Sequence, residues 1–166
     1  LNAVGGNDEL VFDGMSISVN RAGDPVSISD SFKERIEVHD LNDINESPHS
    51  PDISIESLRK ALVLGVRDYA HKSGFSKGLI GLSGGIDSAV TTAIAVEALG
   101  SENIIGISLP SSISSNHSKD DAAELAENLG ITYHTLPIQS IVDSANSELQ
   151  PIFENRATDV TEENIQ

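Results

Sequence analysis

The spacing of hydrophobic and polar residues changes period partway along this chain. In the first forty residues the period is short. Met15, Ile17 and Val19 alternate with Ser16, Ser18 and Asn20, the pattern of a half-buried strand. Glu9–Gly14 carries a short apolar run that ends at a glycine, and Ala22-Gly23-Asp24-Pro25 is a turn signal. Ile36 and Val38 suggest one more short strand. These are too few strands for an independent sheet. Asn42 to Asp52 is polar and holds Pro48 and Pro51, a linker composition, and a domain boundary is expected there.

From Ser54 the period becomes helical. Leu58, Ala61, Leu62, Gly65, Val66 and Tyr69 share one face, with Arg59, Lys60, Arg67 and Asp68 off it and Gly74 as a stop. Gly78 to Leu82 reads as a short buried strand. Ile86, Ala89, Val90, Ala93 and Ile94 then form a second helical stripe, capped at Gly100. Ile104 to Leu109 is a second strand, closed by Pro110 and followed by a serine-rich loop. Ser118 and Asp121 resemble a capping box before Ala122, Leu125, Ala126 and Leu129, with Gly130 as the stop. Ile131 to Leu136 reads as a third strand, and a helix is expected over about 138–153, interrupted near Pro151. Strands alternating with helices predict an α/β fold with a parallel sheet, right-handed crossovers and helices on both faces.

Composition narrows the function. The 166 residues carry a net charge of −16, which disfavours nucleic acid as a partner. An anionic substrate would then need a local site made of backbone N–H groups or a bound cation. There is no cysteine, so disulfides, zinc thiolates and a thiol nucleophile are excluded within these residues. No apolar run is long enough to cross a membrane and no signal peptide is visible, so a cytoplasmic protein is expected. Both ends look cut, and a piece of a longer protein is expected.

The informative run is Gly81-Leu82-Ser83-Gly84-Gly85-Ile86-Asp87-Ser88, between the first strand and the first long helix of the α/β region. Ligands of open α/β sheets bind at this place, at the carboxyl ends of strands. Two glycines let the backbone turn tightly and approach a ligand, and N–H groups at the helix start can face an anion. Ser83 and Ser88 add hydroxyl donors; as a bland alternative, either is a helix cap. Asp87 would repel a bare phosphate, and makes sense holding Mg²⁺, which takes carboxylate and phosphate oxygens together. The spacing fits neither a Walker A loop nor a G-x-G-x-x-G loop. His117 and His134 stand alone, and Glu162 and Glu163 read better as a solvated face than as an acid/base pair.

Ser83-Gly84-Gly85-Ile86-Asp87-Ser88 resembles the signature of the PP-loop, or N-type ATP pyrophosphatase, superfamily, whose fold is Rossmann-like. Leu109-Pro110-Ser111-Ser112, then Ser114-Ser115 and Ser118 to Ala122, resembles the segment after the second strand of NAD synthetases. Thr161 to Gln166 is similar to the start of their next block, which helps bind the dinucleotide. Leu1 to Gly14 looks like the late part of the nitrilase-type (α/β/β/α) glutamine amidohydrolase domain that precedes the synthetase domain in the glutamine-dependent family. The resemblance implies three parts: the end of the amidohydrolase domain at 1–41, a linker at 42–53, and the first part of the synthetase domain at 54–166. It implies ATP as substrate and Mg²⁺, with 81–88 binding ATP. Ser83 is then the catalytic candidate, Asp87 the metal ligand and Asn164 a substrate contact. It further implies amidation of deamido-NAD through an acyl-adenylate, nitrogen from ammonia or glutamine, and a homo-oligomer. The nitrilase-type cysteine is not in these residues, so glutamine hydrolysis is not supported by them, and an isolated piece is expected to be inactive. Another PP-loop enzyme such as a GMP synthetase, or an ATP-binding module without turnover, stays open.

Overall fold

The computed structural model describes residues 1–39, 54–112 and 114–152. The expected linker at 42–53, the end of the helix expected to reach 153, and the block holding Asn164 lie outside the described residues. The backbone divides into two compact units, Leu1–Ser76 with Glu97–Leu99, and Lys77–Val96 with Gly100–Gln166. Among the described residues no helix is long and apolar enough to cross a membrane.

The first unit holds two hairpins and a helix. β1 (Val4–Asn7) pairs antiparallel with β2 (Leu10–Asp13), and β3 (Ile17–Val19) with β4 (Pro25–Ile28). Asn20 shapes the second turn, its side-chain oxygen accepting the N–H groups of Ala22 at 2.8 Å and Asp24 at 2.9 Å. Two of these strands were hidden in the sequence. β1 has glycines at two of its four positions, and β4 begins at the proline of the turn signal. The strand expected at Ile36 and Val38 does not form; both side chains are fully exposed.

α1 (Ile55–Lys72) starts at Ser54, whose hydroxyl accepts the Ser57 N–H at 3.3 Å, and packs on β1 and β2. The expected face is only partly the packed one. Val63, Leu64 and Ala70 are buried, whereas Leu58, Leu62, Val66 and Tyr69 are exposed. The hairpin meets the helix at Gly65, which is on the expected face, and at Asp68, which is beside it.

The second unit is a parallel sheet with helices flanking it, as expected. β5 (Gly78–Gly81), β6 (Ile104–Ser108) and β7 (Thr132–Thr135) lie in that order, with Ile80, Gly106 and Tyr133 in register on one face. α3 (Asn116–Leu129) covers that face. Its Ala122 and Ala126 are buried against Leu82, with Ile80, Leu125, Ile131 and Tyr133 around them. Small residues on the helix bring it close to the sheet, and this cluster is the core that fixes the end of β5. α2 (Ile86–Leu99) buries Thr92, Ala95 and Ala98; Ile86 and Val90 of its expected stripe are exposed. α4 is Gln139–Leu149, shorter than expected. α3 begins three residues earlier than the expected box, because Ser115 is its cap and accepts the Ser118 N–H at 3.0 Å.

Candidate functional site

β5 ends at Gly81, and Leu82 continues the ladder by donating its N–H to the Ile107 carbonyl at 2.8 Å. The side chain of Leu82 is buried in the core, so any ligand contact there must come through its backbone. The chain then turns sharply through Ser83, Gly84 and Gly85 into α2. Gly84 has φ of +79°, in the left-handed region. A Cβ built on it would lie 2.2 Å from the Ser118 carbonyl oxygen and 2.8 Å from the Ser118 Cα. The loop is therefore laid directly on the first turn of α3, backbone against backbone, and glycine is required there twice over.

Two serines close the loop. The Ser83 and Ser88 hydroxyls are 3.1 Å apart, the Ser83 hydroxyl accepts the Gly85 N–H at 3.2 Å, and the Ser88 hydroxyl donates to the Gly85 carbonyl at 2.9 Å. Both hydroxyls remain solvent-reachable. Gly85 is the N-cap of α2 and no side chain caps its first turn. The helix start thus presents N–H groups and the positive end of its dipole, the arrangement that receives an anion. Asp87 lies exposed in that same turn. A carboxylate there is favourable to the dipole but opposes a phosphate, unless a cation stands between them.

A cavity of about 270 Å³ opens at the carboxyl ends of β5 and β6. Gly81 to Ser83 form one wall, Ser108 to Pro110 another, and Ser114, Ser118 and Lys119 close it from the α3 side. The volume suits part of a nucleotide, since pockets enclosing larger small molecules run to about 300–1,000 Å³. Of the predicted run, Gly81, Leu82 and Ser83 line this cavity, and Gly84 to Ser88 form the adjoining turn and helix start. The serine-rich loop is tied down at two points. Ser111 donates its N–H to the Ser114 hydroxyl at 3.0 Å, and Ser112 donates its N–H to the Gln139 side chain at 2.7 Å.

Two of these residues were missed in the sequence. Lys119 supplies a cation to the lining in a strongly acidic chain; its place one residue after the Ser118 that meets Gly84 is visible only in three dimensions. Gln139 anchors the loop from the start of α4, 27 positions away. His117 is exposed and 2.9 Å from Asp121. A hydrogen bond to its own backbone, and then the Asp121 charge, raise its pKa above the ordinary value. His134 stands exposed on β7.

Among the described residues no group of three or more His, Asp or Glu could hold a metal ion. An ion that arrives with phosphates fits better, because Mg²⁺ commonly takes one or two carboxylates and fills its remaining positions with phosphate oxygens and water. Asp87 is the one carboxylate in the first turn of α2.

The NAD synthase family model matches residues 58–166. The chain is 46% identical to a glutamine-dependent NAD(+) synthetase of Synechocystis over its whole length, which is 31% of that relative. Among solved structures, glutamine-dependent NAD+ synthetase from Acinetobacter baumannii, determined with adenosine diphosphate, is 40% identical. It superposes with a TM-score of 0.89 over 98% of this chain and 32% of its own. NMN synthetase from Francisella tularensis is 31% identical, with a TM-score of 0.61 over 69% of this chain and 45% of its own. The chain thus spans about a third of the length of the curated relatives it matches.

Proposed function

Because the chain belongs to the NAD synthase family, we propose that it supplies the ATP-pyrophosphate site of an enzyme that amidates deamido-NAD to NAD, using glutamine-derived ammonia. One observation carries the reading: the Ser83–Ser88 turn, pressed onto Ser118, ends in a helix start that no side chain caps. The adenosine diphosphate in the Acinetobacter relative supports an adenine nucleotide as the ligand.

The chemistry follows from that turn. The substrate carboxylate oxygen bonds to the α-phosphorus of ATP as the bond to the β-phosphate bridging oxygen breaks, and pyrophosphate leaves. The α2 N–H groups and the Ser83 and Ser88 hydroxyls receive the leaving charge, with Ser83 as the hydroxyl facing both loop and cavity. Asp87 would hold Mg²⁺, which neutralises phosphate charge when bound. Ammonia then attacks the acyl carbon of the mixed anhydride, gives up a proton, and displaces AMP. No protein nucleophile is needed; these residues act by positioning and charge stabilisation. Asn164 is assigned to the dinucleotide. The division into 1–41 (end of a glutaminase domain), 42–53 (linker) and 54–166 (start of the synthetase domain) belongs to the same reading, as do a cytoplasmic setting and a homo-oligomer.

The test is AMP and pyrophosphate formation by the full-length protein with MgATP and deamido-NAD, with ammonia or glutamine as donor. Turnover that requires deamido-NAD supports the reading. ATP cleavage only with another oxygen nucleophile, such as the C2 carbonyl oxygen of xanthosine monophosphate, moves the chain to another PP-loop enzyme. ATP binding without cleavage makes it a binding module. The similarity to an NMN synthetase favours one second reading, in which the carboxylate sits on a mononucleotide. Preference for nicotinate mononucleotide over deamido-NAD in the same assay would select it.

A further inference from the structure

The serine-rich loop is held from a side that the proposed chemistry does not use. The chain after β6 and the chain after β7 run on in parallel beyond the strands themselves. Leu136 donates its N–H to the Ser108 carbonyl at 2.9 Å, and Ile138 donates its N–H to the Pro110 carbonyl at 3.1 Å. Bonds of a parallel ladder recur at every second residue, so the Ser112 N–H would next meet the Ile138 carbonyl. That carbonyl is already committed. Ile138 is the N-cap of α4, and its oxygen accepts the N–H groups of Ile141 at 2.9 Å and Val142 at 3.0 Å. The Ser112 N–H goes instead to the side-chain oxygen of Gln139, at 2.7 Å. A side chain thus stands in for the rung that the helix start removes.

A primary amide has two different ends, and only the oxygen suits this place. Asp143, one turn further along α4, fixes the choice. The Gln139 Nε2 donates to the Asp143 carboxylate at 2.7 Å, and a carboxylate only accepts, so the amide oxygen is turned to Ser112. Neither side chain lines the cavity. Their effect reaches it through the loop. Ser111 is buried and donates its N–H to the Ser114 hydroxyl at 3.0 Å, and Pro110 and Ser114 both line the cavity. All of these residues belong to one compact unit.

We propose that Gln139, oriented by Asp143, presets the serine-rich wall of the cavity and so determines how tightly ATP is held. Both are positioning residues. The proposal rests on the functional reading above. A wall fixed before the ligand arrives spares binding the cost of ordering it. The groups that receive the leaving pyrophosphate belong to a different segment, the Ser83–Ser88 turn. Loosening the pair therefore acts on affinity for ATP and leaves the chemical step as it is.

The experiment uses the full-length protein and compares Gln139→Met, Gln139→Glu, and Gln139→Glu combined with Asp143→Asn. Gln139→Met keeps the length and removes the acceptor. Gln139→Glu keeps the acceptor and sets two carboxylates against each other. The double variant restores the bond, because a carboxylate at 139 still accepts the Ser112 N–H and an amide at 143 donates to it. MgATP affinity is measured by calorimetry, KM and kcat by AMP formation with deamido-NAD and ammonia, and the contact itself by exchange of the Ser112 amide hydrogen. In both single variants Ser112 exchange should quicken and the Kd and KM for ATP should rise about fivefold, the scale of one hydrogen bond, with kcat nearly unchanged. The double variant should return all of these toward the unsubstituted values. Unchanged ATP affinity alongside faster Ser112 exchange overturns the proposal. A loss of kcat that accompanies the loss of affinity, and that the double variant does not recover, marks a merely structural role and overturns it too. If Gln139→Met does not fold, Gln139→Glu against the double variant decides. An unsubstituted enzyme that neither binds ATP nor forms AMP overturns the functional reading itself and is read separately from the variants.

Discussion

Two pairs of adjacent glycines do opposite things in this chain. Gly5 and Gly6 lie on β1, and Gly84 and Gly85 lie between β5 and α2. Each pair lets one piece of backbone come unusually close to another element. At β1 the approach closes the site: both polar groups of Gly6 are consumed by Asp68 and Lys72. At the loop it opens one: Gly84 rests on Ser118, while the first turn of α2 stays uncapped and two hydroxyls stay within reach of solvent. Glycine density alone therefore does not mark a ligand site. What separates the two is the start of α2, whose N–H groups have no side-chain cap.

The sharpest break in that comparison is a methyl group at each place. Gly84→Ala puts a Cβ onto the Ser118 backbone, which cannot swing aside, and forces a left-handed φ that costs a further ~1–2 kcal/mol. ATP-dependent pyrophosphate release should fall by at least about 100-fold, the scale of a displaced electrostatic site. Gly5→Ala meets a carboxylate oxygen at the end of a side chain and is strained by a φ of +141°, so it should lower the melting temperature and leave pyrophosphate release with ammonia close to normal. Equal loss of activity in both variants would show that the two pairs are not functionally distinct.

Asp87→Asn keeps the shape of the loop and removes its charge. The loss in pyrophosphate release should approach that of Gly84→Ala, about 10²-fold or more, with thermal stability little changed and activity partly recovered at raised Mg²⁺. Near-normal ATP cleavage in this variant would sink the metal role and leave Asp87 as a helix-dipole acid.

The loop, its strand and its helix were legible in the sequence because they depend on local rules: a strand ending in glycines, then a helical stripe. The parallel sheet followed from the alternation of those elements. The buried faces of α1 and α2 were not legible. Periodicity shows that Leu58, Leu62, Val66 and Tyr69 share a stripe, but the partner decides which stripe is covered. β1 was obscured because two of its four residues are glycines, with little strand propensity of their own; they are placed there by the helix that approaches them. Lys119 and Gln139 were missed for a related reason. Each is an ordinary residue until folding brings Lys119 to the cavity and Gln139 to Ser112 of the serine-rich loop.

Lys119 sharpens the comparison from the cavity side. Lys119→Met removes the cation that lines it and keeps most of the side-chain volume. The KM for ATP should rise about tenfold, the size of one charge-assisted contact, with kcat less affected. The wild-type enzyme should bind ATP more weakly as salt rises, and the variant should show a shallower dependence. An unchanged KM would place the phosphates wholly on the α2 side of the loop.

The smallest effect belongs to His117, which precedes the Ser118 that supports Gly84. Its pKa is raised first by a hydrogen bond to its own backbone and second by Asp121. The folded value lies above the unfolded one, so the contribution to stability is complete below the ordinary histidine pKa and disappears as pH rises through the raised value. The imidazole is mostly exposed, so solvent screens the pair and the change in melting temperature should be slight. Asp121→Asn should return the His117 titration only part of the way, because the first cause remains; an NMR titration of the ring protons measures this directly. If ATP binding changes by less than about twofold over the same pH range, as a screened surface pair implies, the first turn of α3 acts on the loop through its backbone alone. A larger change that vanishes in His117→Gln would instead make the imidazole charge part of the nucleotide site.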